Sequence, residues 1–130
     1  MKASELRIGN FVCDDYSGEM IVTAINRSNH IELAKNNSLP SGLYSVDRVI
    51  PIPITEEWLL KFGFSGSEGV IDLTNEGSGN DDYFNLNYDS ENGMWIYFNE
   101  GWMYLLHIKF VHQLQNLYFS LTGEELTIIA

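Results

Sequence analysis

Lysine and arginine are scarce in this chain. Seven of them stand against 18 aspartates and glutamates, leaving a formal net charge of −11. No basic side chain occurs between Lys61 and Lys109, whereas Glu68, Asp72, Glu76, Asp81, Asp82, Asp89, Glu91 and Glu100 all fall there. Binding a phosphate backbone or an anionic lipid surface requires clustered cations, so neither direct nucleic-acid binding nor membrane binding is expected. Cysteine occurs once, at Cys13. A lone cysteine forms no internal disulfide, so nothing points to an oxidising compartment. Long apolar runs are missing too, and the opening Met1-Lys2-Ala3-Ser4-Glu5-Leu6-Arg7 has no apolar stretch of the signal-peptide kind. These absences point to a cytoplasmic protein. No internal repeat or low-complexity tract is present.

Apolar material is plentiful. At 130 residues, 45% hydrophobic and 13% aromatic, the chain suits one compact domain over 1–130. A change in pattern near the prolines divides it into an all-β unit over 5–54 and an α+β unit over 55–130. In the first unit, Phe11-Val12-Cys13, Met20 to Ile25, and Ile31 and Leu33 around Glu32 read as short strands. Leu43, Tyr44, Val46, Val49 and Ile50 supply one or two more. Loops are expected at Asp14 to Gly18, Asn26 to Asn29 and Asn36 to Gly42. Strands this short and closely spaced predict a small antiparallel unit of the SH3-like barrel size class.

Pro51-Ile52-Pro53-Ile54 ends that region, because two prolines do not fit a central strand. Thr55 then caps a helix of about eight residues with Glu56 and Glu57 in its first turn and Gly63 after its end. Val70 to Leu73, Phe84 to Tyr88, Met94 to Phe98 and Trp102 to Leu106 form an antiparallel meander, with a loop over 75–82. A second helix covers Phe110 to Leu121. Its apolar stripe is Phe110, Val111, Leu114, Leu117, Tyr118 and Leu121, and Gly123 stops it. Leu126-Thr127-Ile128-Ile129 reads as a last edge strand. The fold class is α+β, a small antiparallel β unit followed by a meander packed with two helices.

Catalytic signatures are missing. Cys13 and His30 are the one Cys/His combination available as nucleophile and base, but Asp14 and Asp15 raise a neighbouring thiol pKa and disfavour the thiolate. A half-buried structural cysteine is the better reading. No serine sits in a G-x-S-x-G elbow, and the glycine-rich pieces lack the phosphate-loop lysine. His107 and His112 match no zinc spacing, and His112 reads as a surface group on the helix's polar side. Asp89 to Gly93, and Glu76 with Asp81 and Asp82, invite a calcium reading; solvated turns explain them better. No catalytic residue, metal ligand or cofactor is assigned.

Two features are in surplus. Aromatics crowd the later strands, and one helix face covers one side of a meander, so Trp95 and Tyr97 are expected at an exposed patch. The second helix carries His112, Gln113, Gln115 and Asn116 opposite its apolar stripe. That many amides suits either a partner surface or a helix partly buried beneath a loop.

Three blocks also carry a resemblance. Pro51 to Phe64 (PIPITEEWLLKFGF), Phe110 to Leu126 (FVHQLQNLYFSLTGEEL) and Met1 to Asn10 (MKASELRIGN) together cover about 41 residues. They resemble small proteins encoded by Bacteroides-type gut bacteria and by their phages or prophages. Members of that family often have tyrosine in place of Phe110 and alanine in place of Ser120, changes that leave the helix intact. The family brings no agreed activity, cofactor or catalytic residue, so the resemblance implies a phage or mobile-element setting and nothing more.

The functional expectation is a non-enzymatic protein-binding or accessory module. Its expected partner surface comprises Trp95, Tyr97, His112, Gln113, Gln115 and Asn116, facing a basic protein partner or a second copy. The alternatives are a carboxylate-based hydrolase, an acidic mimic of nucleic acid and a simple structural homodimer.

Overall fold

Nine strands and two helices make up the computed structural model, which describes residues 1–14, 18–26, 28–35, 40–67, 70–75, 84–98 and 101–129. The loops expected at 14–18, 36–42 and 75–82 lie wholly or partly outside the described residues, as do Glu76, Asp81 and Asp82 of the calcium reading.

β1 (Phe11–Asp14), β2 (Gly18–Ile25), β3 (His30–Ala34) and β4 (Pro40–Ser45) form an antiparallel meander in sequence order. Period-two alternation sends Val12, Met20, Val22, Ile31 and Leu33 to one side, where they meet Ala3, Leu6, Val46 and Val49 in a first core. Pro40 to Gly42, expected in a loop, start β4. Val46–Arg48 is a 3₁₀ turn, not a strand, with the Ser45 side chain accepting from the Asp47 N–H at 3.4 Å. Beyond it, Ile50 and Cys13 exchange two backbone hydrogen bonds of 2.8 Å. That single bridge is the return to β1, and the sheet stays open instead of closing as a barrel.

The connector belongs to the second half. Ile52 and Ile54 are buried in its core, the Ile52 carbonyl accepts from Val111 N–H at 2.8 Å, and Ile54 N–H donates to the Lys109 carbonyl at 3.0 Å. α1 (Glu56–Lys61) starts with Thr55 Oγ1 accepting from Trp58 N–H at 3.3 Å and buries Trp58 and Leu59. Gly63, at φ 94°, takes the left-handed conformation that ends it.

The second sheet is an antiparallel meander of β5 (Ser65–Ser67), β6 (Val70–Asn75), β7 (Phe84–Asp89), β8 (Gly93–Phe98) and β9 (Gly101–Tyr104). Its inner face sends Ile71, Leu86, Met94 and Ile96 into one cluster with Trp58, Leu59 and Phe62 from the α1 side and Val111 and Leu114 of α2 (Val111–Thr122). At the start of α2, Gln113 Oε1 accepts from the N–H groups of Lys109 (2.8 Å) and Phe110 (3.0 Å), satisfying donors that a helix terminus leaves open. The apolar stripe is narrower than its spacing predicts: Val111 and Leu114 are buried, Leu117 and Tyr118 half-buried, and Leu121 exposed. Residues 126–129 are not a strand; Leu126 is buried, and Ile129 N–H donates to the Lys61 carbonyl at 2.7 Å.

The halves meet along β1. Phe11 packs its ring 5.2 Å from Trp58 and 6.1 Å from Phe62, so a residue of the first sheet contributes to the second core. Among the described residues no helix is long and apolar enough to cross a membrane.

Candidate functional site

The six surface residues expected from sequence fall in two places. Gln113, as above, caps its own helix. Gln115 and Asn116 face the first sheet. Gln115 is 1% exposed; its Oε1 accepts from the Phe11 N–H at 2.9 Å and its Nε2 donates to the Gly9 carbonyl at 3.0 Å. One side chain thereby satisfies both a donor and an acceptor at the start of β1. Asn116 Oδ1 accepts from Asn10 Nδ2 at 2.9 Å and from Arg7 Nη1 at 3.2 Å, and its Nδ2 donates to the Glu5 carbonyl at 3.0 Å. Arg7 also pairs with Glu125, and its guanidinium lies 3.9 Å from the centre of the Phe119 ring. Gln115 and Asn116 are thus bonded inside the chain, which fits the partly buried helix of the two sequence readings, the covering segment being residues 5–11.

His112 is likewise not a surface group. It is 3% exposed, stacked at 10° on the Phe110 ring with centroids 6.1 Å apart, and its Nδ1 has no hydrogen-bond partner. Burial pushes its imidazole pKa below the ordinary value, against the opposing pull of Glu5. A helical wheel drawn from α2 alone puts His112 and Gln115 off the stripe, because the second surface burying them belongs to residues about a hundred positions away.

Trp95 and Tyr97 lie on the outer face of the second sheet. Register places Asp72, Asn87, Trp95 and Tyr104 side by side across β6 to β9, with Thr74, Asn85, Tyr97 and Trp102 in the next row. Each row therefore runs from a short oxygen-bearing side chain through an amide to two aromatics. The polar half is internally bonded: Asn85 Nδ2 donates to Asp72 Oδ2 at 2.9 Å and to Thr74 Oγ1 at 2.7 Å. The aromatic half is self-packed edge to face, Trp102 against Tyr104 at 5.0 Å and Trp95 against Tyr104 at 6.2 Å. Edge-to-face geometry is the favoured one for ring quadrupoles, so the rings hold one another in place.

Trp95 is half-buried and not exposed as expected, but the other three rings are open to solvent. Tyr97, Trp102 and Tyr104 are 45%, 59% and 43% exposed. On the opposite side of the same hairpin Phe98 and Met103 are also exposed, and Leu106 follows at 73%. The β8–β9 hairpin thus reaches past the core its inner end covers. Trp102 and Met103, the more exposed pair, were not singled out from sequence; the signal was their place in the last strand of the meander.

The remaining chemistry is quiet. Burial, then Glu19 across the strand pair, then Asp14 push the Cys13 thiol up, while His30 Nδ1 lies 2.9 Å from the Ser28 carbonyl. Asp89 Oδ1 accepts from the N–H groups of Asn92 (2.6 Å) and Glu91 (2.9 Å), which holds that carboxyl below its usual range. Among the described residues no three His, Cys, Asp or Glu side chains gather as a metal site would need. Asp72 of β6 and Asp89 at the end of β7 are the strand carboxylates on the described outer face. A cleft of about 500 Å³ opens along the seam beside Ile8, Phe11 and Ile128, and its Gln115 side chain is already bonded to the first sheet.

No family model, curated protein or solved structure matches the chain.

Proposed function

We propose that the chain is a non-enzymatic binding module of phage or mobile-element origin, acting in the cytoplasm on a basic protein partner through the outer face of β8 and β9. The observation that carries this is the cluster of Trp95, Tyr97, Trp102 and Tyr104 in two adjacent rows on a sheet face that neither helix covers. Exposed, mutually braced aromatics are the side chains that supply most binding energy at protein interfaces, since they cover much area with few rotors. A net charge of −11 adds attraction for a basic partner and speeds encounter. An acidic mimic of nucleic acid needs rows of carboxylates, and the described rows of this face hold aromatics and amides instead. A carboxylate hydrolase needs two acids converging on a substrate cleft, whereas Asp72 is bonded to Asn85 and Asp89 to the N–H groups of Glu91 and Asn92.

The test is affinity capture from a bacterial lysate with the intact chain and with a Tyr97→Ala/Trp102→Ala variant, at low and high salt. A basic protein retained by the intact chain at low salt, lost at high salt and lost with the variant is the expected result. Equal retention by both chains rules out the aromatic face.

A further inference from the structure

Strand edges in the two sheets are treated unequally. The outer edge of β1 is bridged by Ile50 through two hydrogen bonds. β4 begins with Pro40, and its pairing with β3 is broken between Leu33 and Ala34. β5 has three residues. Each is a recognised way of blunting an edge against further pairing. β9, one residue longer than β5, lacks the other devices: its four residues hold no proline and no charge, its register with β8 is unbroken, and no described strand lies beyond it.

The hydrogen-bond phase of β9 says which groups are on offer. Leu105 N–H donates to the Met94 carbonyl at 2.9 Å, continuing the register in which Ile96 faces Met103 and Trp95 faces Tyr104. Bonded and non-bonded pairs alternate along an antiparallel ladder. Met103 therefore turns its backbone groups to β8, and Trp102 and Tyr104 turn theirs to the open edge. Two N–H and two C=O groups face outward, in pairs about 6.8 Å apart.

We propose that β9 takes up an extended basic segment of a partner protein as a sixth, antiparallel strand. The idea rests on the binding reading above and specifies how the partner is held. Charge selects this occupant over a second copy, since two chains of −11 repel while a basic segment is attracted. Pairing also sets the pattern of the segment. Residues opposite Trp102 and Tyr104 share the outer face with those rings, where arginine or lysine gains a cation–π contact. The residue between them lies opposite Met103, on the side where Phe98 and Met103 are exposed, and is apolar. The ligand is thus an alternating basic–apolar–basic strand.

The probe is a capped seven-residue peptide alternating arginine and valine, added to the isotope-labelled full chain at low salt and followed by NMR. At saturation, exchange of the Trp102 and Tyr104 amides should slow about tenfold or more, the equivalent of one closed hydrogen bond. The same peptide N-methylated on its β9-facing nitrogens should bind about tenfold more weakly, although charge and side chains are kept. Shifts at Trp95 and Tyr97 without slowed Trp102 and Tyr104 amides would overturn strand addition and leave the aromatic face standing. No shift at either place overturns it too, and the binding reading then rests on the capture experiment alone. A glutamate–valine peptide that binds equally well overturns the basic occupant. A free chain that sediments as a dimer with both amides already protected assigns the edge to a second copy.

Discussion

Gln115 shows how a single side chain joins the two halves. It accepts from Phe11 N–H and donates to the Gly9 carbonyl while almost wholly buried, so truncation leaves two backbone groups without partners. Gln115→Ala should lower the unfolding free energy by about 1–3 kcal/mol, read from the urea midpoint at unchanged slope. His112 tests the same seam by titration. Its folded-state pKa is depressed by burial, so between that value and the unfolded value of about 6.5 the unfolded chain holds more protons. Stability should be full above about pH 6.5 and fall as the pH is lowered through this window. The urea midpoint of His112→Asn should fall less than that of the parent between pH 7 and pH 5.5, both being approximate settings. The surplus of amides on α2 was legible in sequence, but their use was not. Spacing along one helix reveals a polar face without saying whether water or another strand lies against it.

At the scale of elements, most strands were legible because alternation and turn residues agree in them: Val12, Met20, Val22, Ile31 and Leu33 all point into the first core. The failures share a cause. β5 is Ser65-Gly66-Ser67, which has no apolar residue to carry a period, and it pairs because β6 supplies the template. Residues 126–129 have the apolar, β-branched composition of a strand, but Leu126 turns into the core and, among the described residues, a single backbone bond to Lys61 fixes their far end. Composition scores a residue's own preference, whereas pairing needs a neighbour with a free edge. Burial within α2 also shifts from the spacing-based expectation. Leu114 is fully buried and Leu117 only half, so Leu114→Ala should cost about 2–5 kcal/mol and Leu117→Ala clearly less, by chemical denaturation of both variants. Equal losses would mean the far end of the helix is packed as tightly as its middle.

Across the whole molecule there are two cores but a shared boundary. Phe11 and Cys13 of the first sheet pack against the second core, Ile50 bridges β1, and α2 bonds to residues 5–11. We therefore expect one calorimetric transition, with van't Hoff and calorimetric enthalpies in agreement; two resolved peaks would make the seam a contact between independent units. The α+β class and the meander were legible from the sequence, whereas of the two aromatics expected at an exposed patch Tyr97 is exposed and Trp95 half-buried. The extension of that patch to Trp102 and Met103 was not, because it depends on where the helices stop covering the sheet.

The bond from Phe11 to Gln115 spans 104 residues. A ribosome adding roughly 5–20 residues per second needs about 5–20 s to cover that distance. Throughout that interval the nascent first sheet has neither the glutamine acceptor for Phe11 nor the α2 residues that cover residues 5–11. The first sheet is consequently completed only when α2 has been made, and a chain truncated before Val111 would emerge with its β1 flank uncovered for chaperones or proteases to find.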